Sequence, residues 1–218
     1  MTPDCEFCRE LDDDPTTRFR EIYGNRLESR TICRTEHFAV IPTLGQLFEG
    51  SLLVLPLDHF ETFASFPTDL RADATQLIES VCESVRAFGH PIVFEHGARC
   101  ETGGGCGIYH AHVHVVPVPS PLRYSDLSVP LNEQVTCIET AWERLRSAQE
   151  YVLLRDSAGE AAFAVRDDAK AAFGSQMFRR LLAEHYDLSA PWDWRAYDEP
   201  EPSLLSTCSA LSAVSWKA

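Results

Sequence analysis

The sequence predicts an α+β fold: an antiparallel sheet packed by a helix, with a smaller C-terminal α+β extension. Three observations carry that expectation. Runs of Val, Ile, Leu and Phe bounded by turn residues recur along the chain, one long amphipathic stripe of helical period stands among them, and the composition changes after residue 120. A length of 218 residues suits one domain with an extension. The boundaries are drawn at 1–120 for the main domain, 121–197 for the extension and 198–218 for a tail.

Residues 37–41 and 51–55 read as strands, with Gly45 and Gly50 punctuating the turn between them, and are expected to be antiparallel neighbours. Leu70, Ala74, Leu77, Val81, Val85 and Phe88 step by three or four. That period predicts a helix over 68–88, with Thr68 as N-cap and Gly89 then Pro91 as its stop. A short strand over 91–95, a glycine-rich loop from Gly97 to Gly107 and a strand over 108–118 follow. In the extension, 150–155 and 160–165 flank the turn residues 156–159 as a hairpin. A helix from about Ser175 to Tyr186 carries Met177, Phe178, Leu181 and Leu182 on one side, ahead of the aromatic segment 191–195. The tail is rich in Pro, Ser and acidic residues, with Leu204, Leu205, Leu211 and Trp216 available to dock it.

The chain holds 33 acidic against 19 basic residues, a net charge of −14. That is the wrong sign for holding a nucleic-acid backbone by counterion release, so any anionic substrate is small and locally steered. No apolar run approaches the roughly 18 residues a membrane span needs, so no membrane partner is expected. The first residues have neither the basic nor the apolar region of a signal peptide, which makes the cytoplasm the expected compartment. There the eight cysteines are expected to be reduced thiols or metal ligands. Only Cys5 and Cys8 have ligand-like spacing, and Cys33, Cys82, Cys100, Cys106, Cys137 and Cys208 are expected to be mostly small buried hydrophobes. His37, His90 and His185 have no evident partner and are expected at the surface or in turns.

His110, His112 and His114 alternate with Ala111, Val113 and Val115. On a strand this puts the three imidazoles on one face and the apolar residues on the other, toward a core. Successive ring origins are then about 7 Å apart, so each histidine can do a separate task around one bound group. Neutral imidazole is an available nucleophile near pH 7, and a nucleophilic Nε2 requires the tautomer in which Nδ1–H donates to a carbonyl. Two charged rings this close would repel, so the row is expected to share at most one proton. Gly103, Gly104, Gly105, Cys106 and Gly107 immediately precede the row, and successive glycines let backbone N–H groups form an anion nest.

The segment His110, Ala111, His112, Val113, His114, Val115, Val116 closely resembles the defining motif of the histidine triad (HIT) family, His-φ-His-φ-His-φ-φ with φ apolar. The Cys5 and Cys8 pair, the stretch from Gly50 to His59 and the glycine loop extend that resemblance over about residues 5–119. The later segments, 175–180 and 192–195, look like an extension found in some bacterial members. The resemblance implies a HIT-like α+β fold, usually homodimeric, with 1–120 as the catalytic domain. It implies a small-molecule nucleotide substrate attacked at the α-phosphorus, with His112 as the nucleophile that becomes nucleotidylated and His114 beside the phosphoryl and leaving groups. It also implies a structural Zn2+ on Cys5, Cys8, His59 and His110, the set used by zinc-containing relatives such as galactose-1-phosphate uridylyltransferase.

The departures bear on the substrate. Thr43 stands where many relatives carry an Asp for the ribose hydroxyls, and Cys106 and Gly107 stand where they carry Gln and Ser. The upstream Asn of the pattern is replaced within Glu95, His96 and Gly97. Gly105, Cys106, Gly107, His96, Arg99 and Thr43 are therefore the expected substrate-binding residues, the loop acting through backbone N–H groups. Gln176 and Arg179 can approach the site from the extension, although a solvated helix face is the expected role of Arg179. Trp192, Trp194 and Arg195 can close the pocket on a base, although anchoring in a core is the expected role of the tryptophans. Two other functions fit the residues: a metal-dependent hydrolase with an open metal site on the histidine row, and a nucleotide-binding or scaffold protein that has lost catalysis.

Overall fold

The structure is a computed structural model, and it describes residues 5–99, 108–129, 131–166, 173–214 and 216. Its frame is one eight-stranded antiparallel sheet. The strands are β1 (Cys33–Arg34), β2 (Phe38–Pro42), β3 (Leu52–Pro56), β4 (His90–Ala98), β5 (Val113–Val118), β6 (Glu133–Val135), β7 (Glu150–Arg155) and β8 (Ala161–Val165). They lie in the order β1-β2-β3-β5-β4-β7-β8-β6. β2 and β3 pair from Phe38↔Pro56 to Pro42↔Leu52, as their turn residues predict. The hairpin β7–β8 also forms where the sequence places it.

Side-chain alternation divides the core into two faces. Val93, Val113, Val115, Tyr151, Leu153 and Phe163 point to one face, where α3 (Thr68–Val85) and α4 (Ile138–Arg144) cover them with Ala74, Leu77, Val81, Ile138 and Trp142. Ile92, Phe94, Val116, Val118, Val152 and Leu154 point to the other, under Phe178, Leu181 and Leu182 of α5 (Met177–His185). On that same face, Phe7 of α1 (Glu6–Leu11) covers Ala39, Ile41, Leu53 and Leu55. Burial of these aliphatic and aromatic side chains contributes about 1.5–3 kcal/mol for each fully buried residue and is the main stabilising contribution to the fold.

The extension is built into the same sheet. β7 pairs with β4 along six residues, from Val93↔Arg155 to Ala98↔Glu150, so β4 is flanked on both sides. The tail is docked as α6 (Pro202–Leu211), with Leu204 and Leu211 buried; Leu204 packs against Phe19 and Tyr23 of α2 (Arg18–Tyr23). Just ahead of α6, the Glu201 carboxylate accepts from the backbone N–H groups of Gly45 and Gln46 and from the Tyr23 hydroxyl. Among the described residues, no helix is long and apolar enough to cross a membrane.

Several expectations are corrected. Pro67 occupies the N-cap position and Thr68 is the first residue of α3, whose last is Val85; the rigid φ of proline suits that entry. The strand expected over 108–118 forms only over Val113–Val118. Upstream of it the Ala111 N–H bonds to the Phe60 carbonyl at 2.6 Å instead of to a neighbouring strand, and the His110 side chain enters a cysteine and histidine cluster. The strand expected over 91–95 is longer, His90–Ala98, because β7 gives its second edge a partner. Of the scattered cysteines within the described residues, Cys82 is buried, whereas Cys33, Cys137 and Cys208 are partly exposed. Cys100 and Cys106 lie outside the described residues.

Candidate active site

Two sites meet at the histidine row. The first gathers Cys5 and Cys8 from the start of α1, His59 from the segment after β3, and His110. Their ligand atoms all lie within 4.8 Å of one another. Cys5 Sγ is 3.4 Å and Cys8 Sγ 3.5 Å from His110 Nδ1, and Cys8 Sγ is 3.3 Å from His59 Nδ1. Tetrahedral Zn2+ with ordinary Zn–S and Zn–N bonds sets its ligands about 3.3–3.8 Å apart, so these three separations and the donor types fit that ion. His110 Nε2 donates to the Pro56 carbonyl at 2.9 Å, which leaves the Nδ1 lone pair turned to the centre. Burial holds His110 down to about 4, in its neutral ligand form, and pushes the Cys5 thiol up to about 11.

The second site is a cleft of about 680 Å³, solvent mouth included. His112 and His114 line it; His110 does not. His112 Nδ1 donates to the His110 carbonyl oxygen at 2.7 Å. A carbonyl only accepts, so this bond fixes the proton on Nδ1 and leaves Nε2 with its lone pair. The ring is 9% exposed and meets the edge of Phe7 at 5.3 Å between centroids. His114 stacks on Phe94 at 4.4 Å and stands 5.3 Å from the His112 ring. Burial holds its pKa well below the ordinary histidine value, with the neighbouring His112 and the Arg179 guanidinium acting in the same direction. The two histidines flanking His112 are thus neutral at pH 7.

The extension supplies a wall of the cleft through Gln176, Arg179 and Trp194. Arg179 is not on a solvated helix face, as the sequence suggests: it is 6% exposed, and its guanidinium donates to the carbonyls of Trp192 and Gly45. Gln176 has a left-handed backbone, φ 53°, and its side chain donates to Asp193 while accepting from the Trp194 N–H. Trp194 packs with Phe19, Leu44 and Leu204 and also borders the cleft, so its anchoring and lining roles coincide. Gly45, at φ +63°, has the Trp194 backbone and the Tyr197 ring so close that a Cβ there would be crowded. Arg195 pairs with Asp193.

Of the residues expected to bind substrate, Thr43 and His96 line the cleft. Arg99 does not; its side chain donates to the carbonyls of Ala148 and Arg146. Gly105, Cys106 and Gly107 lie outside the described residues.

With this geometry the chain was compared with known proteins. No family model and no curated protein matches it. Solved structures do. A hypothetical histidine triad nucleotide-binding protein from Sulfolobus tokodaii is 22% identical, with 53% of this chain and 69% of that one covered at a TM-score of 0.39. A Zn-bound histidine triad family protein from Mycobacterium smegmatis is 18% identical, with 66% and 91% covered and a TM-score of 0.41. A HIT family hydrolase from Clostridium thermocellum is 15% identical, with 54% and 93% covered and a TM-score of 0.39. These neighbours are histidine triad proteins.

These matches cover 53% to 66% of this chain. The sequence offers Gln176, Arg179 and Trp194 as able to reach or close the pocket, with a solvated face the expected role of Arg179 and core anchoring that of Trp194. The usable signal was the polar and aromatic character of positions 176, 179 and 194 beside an otherwise apolar helix face.

Proposed function

We propose that the protein is a histidine triad type nucleotide hydrolase or nucleotidyltransferase working through His112. Nε2 of His112 attacks the α-phosphorus of a nucleotide conjugate. The phosphorus–nitrogen bond forms as the bond to the leaving group breaks, and the leaving group departs with that electron pair and a proton from solvent. Water or another hydroxyl acceptor then attacks phosphorus, loses its proton to solvent and regenerates the imidazole. The observation that carries this reading is the 2.7 Å bond from His112 Nδ1 to the His110 carbonyl, which gives a cleft-lining imidazole the nucleophilic tautomer. Arg179, buried in the same wall, supplies positive charge for the phosphate, and Phe94 and Trp194 offer apolar surface.

A structural zinc belongs to the same reading. Cys5, Cys8, His59 and His110 would hold it; when bound, the ion would cross-link α1 and the segment after β3 to the segment that leads into β5 and carries His112. No step of the reaction runs through it. The split of the histidine row, His110 toward the cysteines and His112 and His114 toward the cleft, supports this over an open metal site on all three rings.

The test is a screen of nucleotide conjugates against wild type and His112→Ala, with products identified by mass and the protein searched for an acid-labile nucleotidyl adduct. Turnover and an adduct on His112, both lost in the variant at unchanged zinc content, are expected. Binding without adduct or turnover would leave a nucleotide-binding or scaffold protein. Loss of bound metal in His112→Ala would favour the metal-dependent hydrolase.

A further inference from the structure

Besides His112 and His114, the cleft holds a third histidine, one that this reaction scheme does not use. His96 lies on β4 with its side chain 8% exposed. The β4–β5 register runs from His90↔Val118 to Phe94↔His114, and continuing it by two residues brings His96 to the level of His112. Both line the cleft. His96 Nε2 donates to Glu150 Oε1 at 2.8 Å, and Glu150, fully buried at the start of β7, is paired through Oε2 with Arg166 at 2.6 Å. A carboxylate only accepts, so Nε2 carries the proton. His96 Nδ1 is buried and has no hydrogen-bond partner among the described residues. Buried polar atoms are nearly always paired, and one left bare in the wall of a cleft marks a place for a group that arrives from outside.

We propose that His96 is a further catalytic residue, a donor to a non-bridging phosphoryl oxygen, held in place by Glu150. On substrate binding the ring takes one proton from solvent at Nδ1. The resulting imidazolium bonds Glu150 on one side and the phosphate on the other, and the proton returns to solvent when the product leaves. His96 forms no bond to phosphorus. A donor role follows from position: in-line displacement puts the leaving and incoming groups on the far side of phosphorus from His112, so a residue beside the nucleophile meets the non-bridging oxygens. The ring then has one acceptor at each nitrogen, Glu150 at Nε2 and the phosphate at Nδ1. This donor also stands in for loop side chains that Cys106 and Gly107 cannot provide. The inference rests on the nucleotide reading above and deepens it.

The test is nitrogen NMR of the zinc-loaded, histidine-labelled wild type titrated with AMP and, separately, inorganic phosphate, with the His96 signal assigned through His96→Gln. Nδ1 is expected to change from a bare to a protonated nitrogen with either probe, and Glu150→Gln to weaken that change. In kinetics, His96→Leu should slow adduct formation on His112 about a hundredfold, while His96→Gln, which keeps an N–H donor, should stay within about tenfold of wild type. The nitrogen signal makes the distinction from a purely structural role, since a His96 that only pairs Glu150 would keep Nδ1 bare with both probes. An adduct on His112 with Nδ1 still bare at the highest concentrations of both probes overturns the inference and leaves the nucleotide reading standing. Protonation of Nδ1 without any adduct in wild type sinks the reaction and keeps the phosphate contact. If neither appears, both fall.

Discussion

The carbonyl of His110 receives the Nδ1–H of His112 at 2.7 Å, while the His110 side chain faces Cys5 and Cys8. One residue thus contributes its ring to the cysteine and histidine cluster and its backbone to the tautomer of the candidate nucleophile. Disturbing the cluster therefore reaches the cleft without touching substrate. Cys8→Ser should lower bound zinc from one equivalent to near none and slow His112 adduct formation about 10–100-fold. Metal analysis and rapid-quench kinetics on the same preparation check this, and full activity in a zinc-free variant would break the link.

Arg179 is buried against the cleft, whereas its neighbour Arg180 is exposed and pairs with Glu184. Arg179→Met should raise KM for a nucleotide conjugate at least about tenfold, the scale of a lost hydrogen bond to a charged group, with a smaller change in kcat. Arg180→Ala should change neither. Steady-state kinetics of the two variants decide it, and equal behaviour would remove Arg179 from substrate binding.

Glu95 is buried under the sheet, where its carboxylate accepts from the Phe63 N–H at 3.0 Å and Trp142 Nε1 at 2.8 Å. Burial raises its pKa despite those donors. A carboxyl with a raised folded pKa binds its proton more tightly when folded, so its contribution is greatest at low pH and is lost as pH rises from the ordinary carboxylate range through the folded value. Wild type should therefore lose stability relative to Glu95→Gln across that window. Urea unfolding of both proteins through the acidic and neutral range measures the difference; a constant gap would refute it.

Gly97 sits at the seam between β4 and β7, where a Cβ would collide with the Tyr151 ring. Gly97→Ala should destabilise the protein by about 1–3 kcal/mol through overpacking. Denaturant midpoints at constant m-value report it.

The alternation at 110–114 and the Cys5–Cys8 spacing are legible because each is a local pattern; the strand itself covers only Val113–Val118, so His110 turns from the cleft to the cysteines. His59 entered the metal set only through the resemblance, since fifty residues separate it from the nearest partner in sequence. The Glu150–His96 pair had no local signal at all. It exists because β7 pairs with the edge of β4 that faces away from β5, a contact between strands more than fifty residues apart in the chain. Arg179 was misjudged because an arginine on an amphipathic helix ordinarily faces water; here the 43–45 and 192–194 segments close over it and its guanidinium is satisfied by their carbonyls.

The sequence by itself determined the alternating histidines, the paired cysteines, the hairpins and the long helix, because periodicity and turn chemistry act over a few residues. Only the tertiary structure decided that the row divides between a cysteine and histidine cluster and a cleft, that the extension continues the sheet, that Gln176 and Arg179 line the cleft with His112, and that Glu150 pairs with His96 behind it. Those juxtapositions arise from long-range strand pairing and burial, which no local pattern specifies.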